Sequence, residues 1–450
     1  MRYGELFELT IGTIRIQAPT IQQNHPSARL AHFHKLHLLA RRAWKMPPSM
    51  QDPSANGCIP DKGASAPNTP PYVPIAVCGM ALRVPGGVRN PQELWDMLTS
   101  KSEGRSEIPS DRFSVDGYYS EHQPKQGTVN FKHGYFLEEG LQHFDAGFFS
   151  MSRREVERLD PQQRLLLEVV HECMESAGEV GWRGKNIGCI VGSFGQDWSE
   201  LSQSDKLASG LYTITGQGDF LLANRVSFEY DLKGPSLTVK TACSSAAIAF
   251  HLACTALARG ECEGVIVGGT SVFTAPGASV AMTEQGLVSP EGRSKPFDAS
   301  ADGYARAEAV NSVYLRRLDD ALRDGTPVRA VVRGSALNSD GKSASLASPS
   351  AEAHELLIRK AYEAAGLEQA DAPYVECHGT GTKVGILTDP WRRRTGIDIE
   401  RVTNRSGILL KPRPLPVSSA TKAHIWAQYV FKFALLYAYL SYGVMIADTL

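Results

Sequence analysis

Short runs of apolar residues alternate with longer amphipathic segments along the middle of the chain. The runs NIGCIVGS (186–193) and EGVIVGGTS (263–271) are rich in β-branched residues and bounded by glycine. Such runs are typical of strands that are buried on both faces of a sheet. The alternation extends over about residues 73–385 and predicts an α/β fold, in which helices cover a central sheet.

Helix boundaries are well marked in one part of this region. Ser152 followed by Glu155 forms a capping box, and DPQQ (160–163) provides a second one with proline at the first helical position. Gly178 stands where a C′ glycine is expected. These signals predict two consecutive helices, of which the second begins at Pro161.

The two ends of the chain differ from this pattern. Residues 1–72 pass from a basic stretch into a run rich in Pro, Ser, Asn and Gly, which predicts a disordered or linker segment. Residues 386–450 show no clean period and form a divergent tail of uncertain structure; a retained intron, a frameshift or a true truncation would each explain the change. The apolar segment 425–447 is interrupted by Lys432, which favours an amphipathic or buried helix over a membrane span of about 20 residues.

Composition excludes several classes of protein. The 450 residues carry 47 Lys and Arg against 48 Asp and Glu, whereas a nucleic-acid binder shows a basic excess. The eight cysteines lie far apart with no CxxC pair, which argues against a zinc module or a disulfide framework. The first residues lack the uninterrupted apolar core of a secretory signal. We therefore expect a cytoplasmic protein.

Cys243 lies at a predicted strand-to-helix junction. Upstream, Leu237 and Val239 alternate on one face of a strand; downstream, strong helix formers continue to Gly260. A helix N-terminus stabilises a thiolate and lowers a cysteine pKa from about 8.5 to roughly 3.5–7.5, and its N–H groups can receive an oxyanion. The junction predicts a nucleophile. A small buried structural cysteine is the alternative, and the junction alone leaves it open.

A second candidate is His378, which follows a short strand in YVECHGTGT (374–382). The glycines permit positive φ and close backbone approach. A phosphate-binding loop is a poor interpretation because no GK[ST] completes a P-loop. A lone histidine is more often structural than catalytic, so the motif needs further support.

That support comes from a resemblance. The segment GPSLTVKTACSSAAIAFHLA (234–253) is similar to the active-site segment of β-ketoacyl synthases, the condensing domains of polyketide and fatty acid synthases. Further motifs of the family occur in the expected order: PIAVCGMALRVPGG, FDAGFFSMSRREVERLDPQQRLLLEV, FDASADGYARAEAV, ALNSDGK and YVECHGTGT. The resemblance covers roughly residues 74–385 and is greatest to fungal, highly reducing, iterative type I polyketide synthases.

The resemblance implies the thiolase-like fold, an α-β-α-β-α sandwich of two related halves that is usually dimeric. The ketosynthase domain would span residues 73–385, with an N-terminal half at about 73–300 and a partial C-terminal half at about 301–385. Cys243 would come from the first half and His378 from the second.

The resemblance also implies a mechanism, decarboxylative Claisen condensation. Cys243 would hold the acyl chain as a thioester, and His378 would be one of two histidines that assist decarboxylation and stabilise the oxyanion, while Thr380 and Thr382 would shape the loop. No cofactor or metal would be bound directly. Substrates would arrive on the phosphopantetheine of an acyl carrier protein, and carrier and acyltransferase domains would come from elsewhere.

The sequence departs from the family pattern after Gly385. The second histidine motif, an acidic helix and a closing glycine loop are absent, and Lys422 with His424 gives only a faint echo of the lysine motif. Upstream, Lys240 replaces an aspartate, and alanines stand at two positions where glycine is common, Ala307 and Ala309. We expect that this chain condenses nothing by itself. The alternatives are a non-catalytic remnant, either a binding or dimerisation module or without function, and a weaker one, a protein held at a membrane by its aromatic tail.

Overall fold

The computed structural model describes residues 73–121, 126–204, 210–296, 298–369 and 378–382, and the backbone of five further short strands. The chain divides into two compact units, Met1–Thr69 and Pro70–Leu450. In the first unit, strands β1 (Thr10–Ile11) and β2 (Ile14–Arg15) form an antiparallel pair. Most of the predicted linker at residues 1–72 lies outside the described residues, although β1 and β2 belong to it. Of the helix predicted at residues 425–447, the part at 425–442 also lies outside them. The prediction is wrong at its end, because Gly443–Asp448 form a strand that pairs with the central sheet.

The second unit combines strands with helices, as the apolar pattern predicts. Its strands are β3 (Ile75–Arg83), β4 (Arg105–Glu107), β5 (His133–Tyr135), β6 (Ile187–Ser193), β7 (Ser236–Val239), β8 (Gly264–Ser271), β9 (Ala309–Arg317), β10 (Ala330–Leu337), β11 (Tyr374–Glu376), β12 (Ile408–Leu410) and β13 (Gly443–Asp448). Its helices are α1 (Pro91–Thr99), α2 (Arg153–Val156), α3 (Pro161–Ser176), α4 (Asp197–Ser204), α5 (Thr213–Gln217), α6 (Leu221–Glu229), α7 (Ser245–Ala258), α8 (Gly277–Glu284), α9 (Leu318–Arg323) and α10 (Ala351–Ala365), with a 3₁₀ turn at Val115–Gly117.

A seven-stranded sheet forms the centre of this unit, in the order β13-β10-β3-β9-β8-β6-β7. Strand β6 runs parallel to β7 and β8, and the other neighbours pair antiparallel. The two glycine-bounded runs are confirmed as strands β6 and β8, and every residue of both is buried. A strand buried on both faces needs helices on both sides, as the sequence predicts.

Two apolar clusters lie on opposite faces of the sheet. Ala76 and Cys78 of β3 pack in the cluster that contains helix α3, whereas Ile75 and Val77 pack in the cluster that contains α7. Because successive strand residues point to opposite faces, α3 and α7 cover the two sides of the sheet. The result is a three-layered α/β/α arrangement in the described part of the unit.

The helix signals are largely confirmed. The Ser152 side chain accepts a hydrogen bond of 3.3 Å from the Glu155 N–H, although α2 spans only one turn. Asp160 caps α3 by accepting from the Gln162 N–H at 2.8 Å, one residue earlier than the capping box predicts. Helix α3 ends at Ser176, and Gly178 has the positive φ of 68° expected of a C′ glycine.

The prediction for strand β7 is half right. Val239 is buried as expected, but Leu237 on the same face is 37% exposed. The reason is position, since β7 is the last strand of the sheet and lacks a neighbour on its outer edge among the described residues. Within the same described part, no helix is long and apolar enough to cross a membrane.

Candidate active site

Cys243 lies in the turn between strand β7 and helix α7, as the sequence predicts. Its side chain is only 2% exposed. The preceding residue, Ala242, has a φ of 55°, a left-handed conformation that is uncommon for a residue with a Cβ. Strained backbone of this kind persists where surrounding contacts enforce it, and it is concentrated at functional sites.

Serine hydroxyls brace this turn. Ser244 Oγ donates to the Thr241 carbonyl oxygen at 2.6 Å, and Ser245 Oγ donates to the Ala242 carbonyl oxygen at 2.5 Å. The Thr241 N–H in turn donates to Ser245 Oγ at 2.8 Å. These bonds satisfy backbone groups that the turn removes from regular pairing, and they hold Ala242 in its strained conformation.

A glycine on the neighbouring strand lets the helix approach. A Cβ built on Gly192 of β6 would lie 2.3 Å from the backbone nitrogen of Ala246, in the first turn of α7. No side chain fits at this distance, so the start of α7 rests directly on the strand backbone. This contact sets the distance between the Cys243 turn and the sheet.

The expected lowering of the Cys243 pKa is wrong. Burial raises the pKa of this thiol well above its ordinary value, while hydrogen bonds from the N–H groups of Cys243 and Ser244 lower it by less. Backbone N–H groups at the helix N-terminus thus favour the thiolate, as predicted, but the loss of solvent outweighs this effect on the pKa. The resting thiol is protonated at neutral pH, and a reaction at Cys243 requires removal of this proton.

Tyr304 is a neighbour of the thiol that sequence reasoning missed. It is buried, and its backbone is clamped by two bonds: it donates to the Leu287 carbonyl at 3.0 Å and accepts from the Ser289 N–H at 2.9 Å. Burial raises the pKa of Tyr304 to about 12, a shift that Arg306 opposes and a negative charge on Cys243 increases. The sequence signal that could have identified Tyr304 is its position in DGYARAEAV (302–310), next to the glycine of that motif.

The loop that carries His378 docks beside the same segment. Gly379 and Gly381 both have positive φ, 58° and 75°, as their expected role requires. The Gly303 N–H donates to the Gly381 carbonyl at 3.2 Å, so the loop contacts the residue that precedes Tyr304. His378 itself is exposed. The structure thus brings the two motifs onto adjacent segments, while the catalytic role of His378 stays a prediction.

The two loop threonines interact with each other. Thr380 is buried, and its Oγ1 lies 2.9 Å from Oγ1 of Thr382. This bond closes the loop on itself, which fits the expectation that the threonines shape it. Lys422 and His424, the echo of a second motif, lie outside the described residues.

The residues that depart from the family pattern near the site fit into the structure. Lys240 forms an ion pair with Asp219 at 2.7 Å. Ala307 and Ala309 are both buried, and Ala309 begins strand β9 opposite Ser271 of β8.

A buried ion pair, also missed from the sequence, ties the segments behind the site together. Glu308 is fully buried and accepts two bonds from Arg112, at 2.7 and 2.9 Å. It also accepts the N–H groups of Leu137 and Phe273 at 2.9 and 3.1 Å. Four donors satisfy this carboxylate, and breaking such a pair typically costs about 3–5 kcal/mol. Among the described residues, no cluster of three His, Cys, Asp or Glu could hold a metal.

Two family models match this chain. The β-ketoacyl synthase N-terminal domain matches residues 73–321, and the β-ketoacyl synthase C-terminal domain matches residues 329–388.

Relatives of known type match over the same region. The highly reducing polyketide synthase g433 of a Fusarium species is 56% identical over 70% of this chain, and the highly reducing polyketide synthase gloL of Glarea lozoyensis is 51% identical over 72%. This chain covers only 12% and 13% of those two proteins.

Solved structures of ketosynthases are also similar to this chain. An oxazolomycin ketosynthase domain from Streptomyces albus superposes with a TM-score of 0.68 at 34% identity, covering 72% of this chain and 57% of that domain. The ketosynthase from module 6 of the bacillaene synthase of Bacillus subtilis gives a TM-score of 0.63 at 34% identity, covering 70% and 53%.

Proposed function

The chain belongs to the β-ketoacyl synthase family, and from this premise we propose that it is the ketosynthase region of a fungal, highly reducing polyketide synthase. Its reaction is the decarboxylative Claisen condensation of acyl and malonyl thioesters in secondary-metabolite biosynthesis. The proposal is carried by one observation: Cys243 lies in the serine-braced turn at the N-terminus of α7, inside the region that is 56% identical to such an enzyme.

Cys243 is the acyl acceptor in this proposal. The thiol loses its proton, and the sulfur attacks the carbonyl carbon of an incoming acyl thioester. The bond from that carbon to the donor sulfur breaks, and the donor leaves as a thiol after taking up a proton. The N–H groups of Cys243 and Ser244 lie where they stabilise negative charge during this exchange. Nucleophilic catalysis thereby divides the reaction into acyl transfer and condensation.

Condensation then extends the chain by two carbons. A malonyl thioester loses carbon dioxide, and the carbanion formed attacks the Cys243 thioester. A carbon–carbon bond forms, the bond from the acyl carbon to Cys243 breaks, and the thiolate is restored. Negative charge collects on the malonyl thioester oxygen during decarboxylation, and His378 is proposed to stabilise it together with a second donor.

The partners follow from the same chemistry. Both thioesters are proposed to arrive on the phosphopantetheine arm of an acyl carrier protein, loaded by an acyltransferase domain, in the cytoplasm. These parts are proposed to lie on other polypeptides or on a longer chain, since this chain covers about an eighth of its relatives.

By itself, this chain is proposed to be inactive in condensation. The lysine and histidine motif that supplies the second donor in the family is absent from the sequence after Gly385. Loss of one such donor typically costs a factor of about 10²–10³ in rate.

A hybrid protein tests the proposal. Residues 1–385 are joined to the region of the Fusarium relative that follows the matching position, and 3-ketoacyl product is measured from acyl- and malonyl-pantetheine. We expect product from the hybrid, none from the unmodified chain, and none from the hybrid with Cys243→Ala. Undiminished turnover by the Cys243→Ala hybrid would refute the assignment of the nucleophile, and turnover by the unmodified chain would refute its inactivity.

A second candidate function is a non-catalytic dimerisation module. It is favoured by the buried thiol and by exposed apolar side chains on β7 and neighbouring segments, which we name the β7 face; among the described residues, the outer edge of β7 has no partner strand. Its residues are exposed on neighbouring elements: Leu211, Ile214, Phe220, Phe228 and Leu237. A free strand edge flanked by apolar side chains suits pairing with a second copy about a two-fold axis.

A further inference from the structure

The residue before the nucleophile has a conformation that it cannot maintain by itself. Ala242 has a φ of 55°, in the left-handed region where a Cβ lies close to the following carbonyl oxygen. Asn and Asp tolerate this region because their side chains form local hydrogen bonds, and glycine tolerates it because it lacks a Cβ. Alanine has neither property. The left-handed turn before Cys243 must therefore be held by neighbouring residues.

Ser245 holds the backbone on both sides of Ala242. On the N-terminal side, Ser245 Oγ accepts a bond of 2.8 Å from the Thr241 N–H. On the C-terminal side, the Ala242 carbonyl oxygen accepts two bonds from Ser245, one from Oγ at 2.5 Å and one from the backbone N–H at 3.1 Å. Ser244 acts on one side only, because its Oγ and its N–H both donate to Thr241. The side chain of Ser245 thus spans the strained position.

The central sheet anchors Ser245. This residue is the first of helix α7, and its exposed fraction is zero. A Cβ built on Gly192 of strand β6 would lie 2.4 Å from the Ser245 carbonyl carbon, so the backbone of Ser245 lies directly against the strand. A close-packed residue of this kind has little freedom to move. The bonds from Ser245 Oγ therefore fix the turn relative to the sheet.

The bond to the Ala242 carbonyl also orients a donor of the sulfur. The Ala242 carbonyl and the Cys243 N–H belong to one planar peptide group, so a bond that fixes the carbonyl fixes the direction of the N–H. This N–H is one of the two backbone groups that lower the pKa of the Cys243 thiol against the larger effect of burial. Ser245 therefore acts on the sulfur indirectly, through this peptide group.

We propose that Ser245 is a positioning residue for the acyl acceptor. By holding Ala242 in the left-handed conformation, it keeps the Cys243 N–H and the sulfur in the arrangement that acyl transfer requires. This role rests on the proposed function, in which Cys243 accepts the acyl group. The hydroxyl of Ser245 then affects the rate of acyl transfer, beyond any effect on the stability of the fold.

Acylation of the full chain by an acyl-pantetheine thioester tests the proposal. The rate is measured by mass spectrometry at a temperature at which circular dichroism shows each variant to be folded. We expect Ser245→Ala to lower the rate at least about tenfold, because the peptide group that carries the Cys243 N–H loses a hydrogen bond. Ser244→Ala lowers the rate less, because Ser244 supports one side of the strained position. An unchanged rate in Ser245→Ala, or equal losses in the two variants, would overturn the proposal.

A serine far from the turn provides the matched control. Ser176, at the end of α3, accepts bonds of 3.3 Å from the Met80 N–H and 2.8 Å from Arg329. Ser176→Ala therefore removes two side-chain bonds, as Ser245→Ala does, but none at the turn. We expect it to lower the stability in thermal unfolding and to leave the acylation rate unchanged. An equal loss of rate in Ser176→Ala would show that the effect of Ser245 is merely structural.

A second substitution tests whether Ser245 acts through Ala242. Glycine adopts a positive φ without a steric cost, so Ala242→Gly removes the strain that Ser245 opposes. We expect the double variant Ala242→Gly with Ser245→Ala to be acylated at least about fivefold faster than Ser245→Ala alone. A double variant as slow as Ser245→Ala would contradict the proposal. If Ser245→Ala does not fold alone, the double variant is compared with Ala242→Gly, and a loss of more than about fivefold contradicts it.

Alkylation by iodoacetamide separates this proposal from the proposed function. The reagent needs the Cys243 thiolate but no acyl donor. We expect Ser245→Ala to slow the alkylation of Cys243 about fivefold at fixed pH, because the backbone N–H bond to the thiolate is weakened. A chain that is not acylated, but shows this loss and its recovery by Ala242→Gly, would refute acyl transfer and support the positioning role. Normal acylation of the chain, with both rates unchanged in Ser245→Ala, would refute the positioning role alone.

Discussion

At the scale of single residues, the surroundings of the Cys243 sulfur act on its pKa in opposite directions. Two backbone N–H groups favour the thiolate, and burial favours the thiol by more. Burial keeps the sulfur away from water and favours its protonated form. A thiol in this form is less readily oxidised than a thiolate.

This balance predicts the pH dependence of alkylation. Because the pKa of Cys243 lies above its ordinary value, its thiolate fraction rises about tenfold for each pH unit from about 7 to about 9. We expect the rate of iodoacetamide modification, followed by peptide mass spectrometry at Cys243, to rise in parallel without a plateau. A plateau below about pH 8 would show a lowered pKa instead.

The position of Cys243 at a strand-to-helix turn could be predicted from the sequence, because the strand and helix signals meet there. Its pKa could not, because burial depends on elements far away in the chain. The left-handed conformation of Ala242 and the contact of Gly192 with α7 could not be predicted for the same reason. Each depends on a neighbour that only the folded structure identifies.

At the scale of elements, the N-terminus of helix α3 is capped by Asp160, but burial destabilises the charge of this carboxyl. Asp160 accepts bonds from the Gln162 backbone and side chain, at 2.8 and 3.1 Å. Burial nevertheless raises its pKa to about 6, which Asp197 reinforces and Arg164 opposes. The cap itself favours the ionised carboxyl, but burial outweighs it, so the folded state is most stable when the carboxyl is protonated.

The stability of the protein should respond to this group between about pH 4 and pH 6. The folded state binds the proton more tightly than the unfolded state, so stability falls as pH rises through this window. We expect Asp160→Asn to flatten that slope and to raise the stability at pH 7 by about 1–3 kcal/mol. Urea unfolding measures it, with the exposed Asp116→Asn as control. An unchanged slope in Asp160→Asn would contradict the account.

Elements themselves were predictable where their local signals were complete. The buried strands β6 and β8 and the end of α3 before Gly178 came from apolar runs and glycine positions alone. The length of α2 could not be predicted, because a helix of one turn has the same capping signal as a longer helix. Likewise, the exposure of Leu237 follows from the edge position of β7, which is set by sheet order.

At the scale of the whole molecule, the fold class predicted from the resemblance is confirmed by the ketosynthase structures that superpose on this chain. The domain boundaries at residues 73, 300 and 385 stay predictions, as does the role of the tail. The pairing of β10 with β3, which joins the start of the second family domain to the central sheet, could not be predicted because antiparallel register leaves no local sequence signal.

The β7 face predicts the oligomeric state. Phe228 is 81% exposed there, and a second copy would bury it. We expect the chain to be a dimer in light scattering, and Phe228→Glu with Leu237→Lys to convert it to a monomer, because charges on both elements oppose pairing. The control is Leu322→Glu, an exposed position on α9. A dimer that persists in the double variant, or is lost in the control, would place the interface elsewhere.

The most direct measurement is the site of acylation. The chain is incubated with an acyl-pantetheine thioester, digested, and mapped by mass spectrometry beside the Cys243→Ala variant. Our account predicts one acyl adduct, on the peptide that contains Cys243, and its loss in the variant. An adduct on another residue, or undiminished labelling after Cys243→Ala, would contradict it.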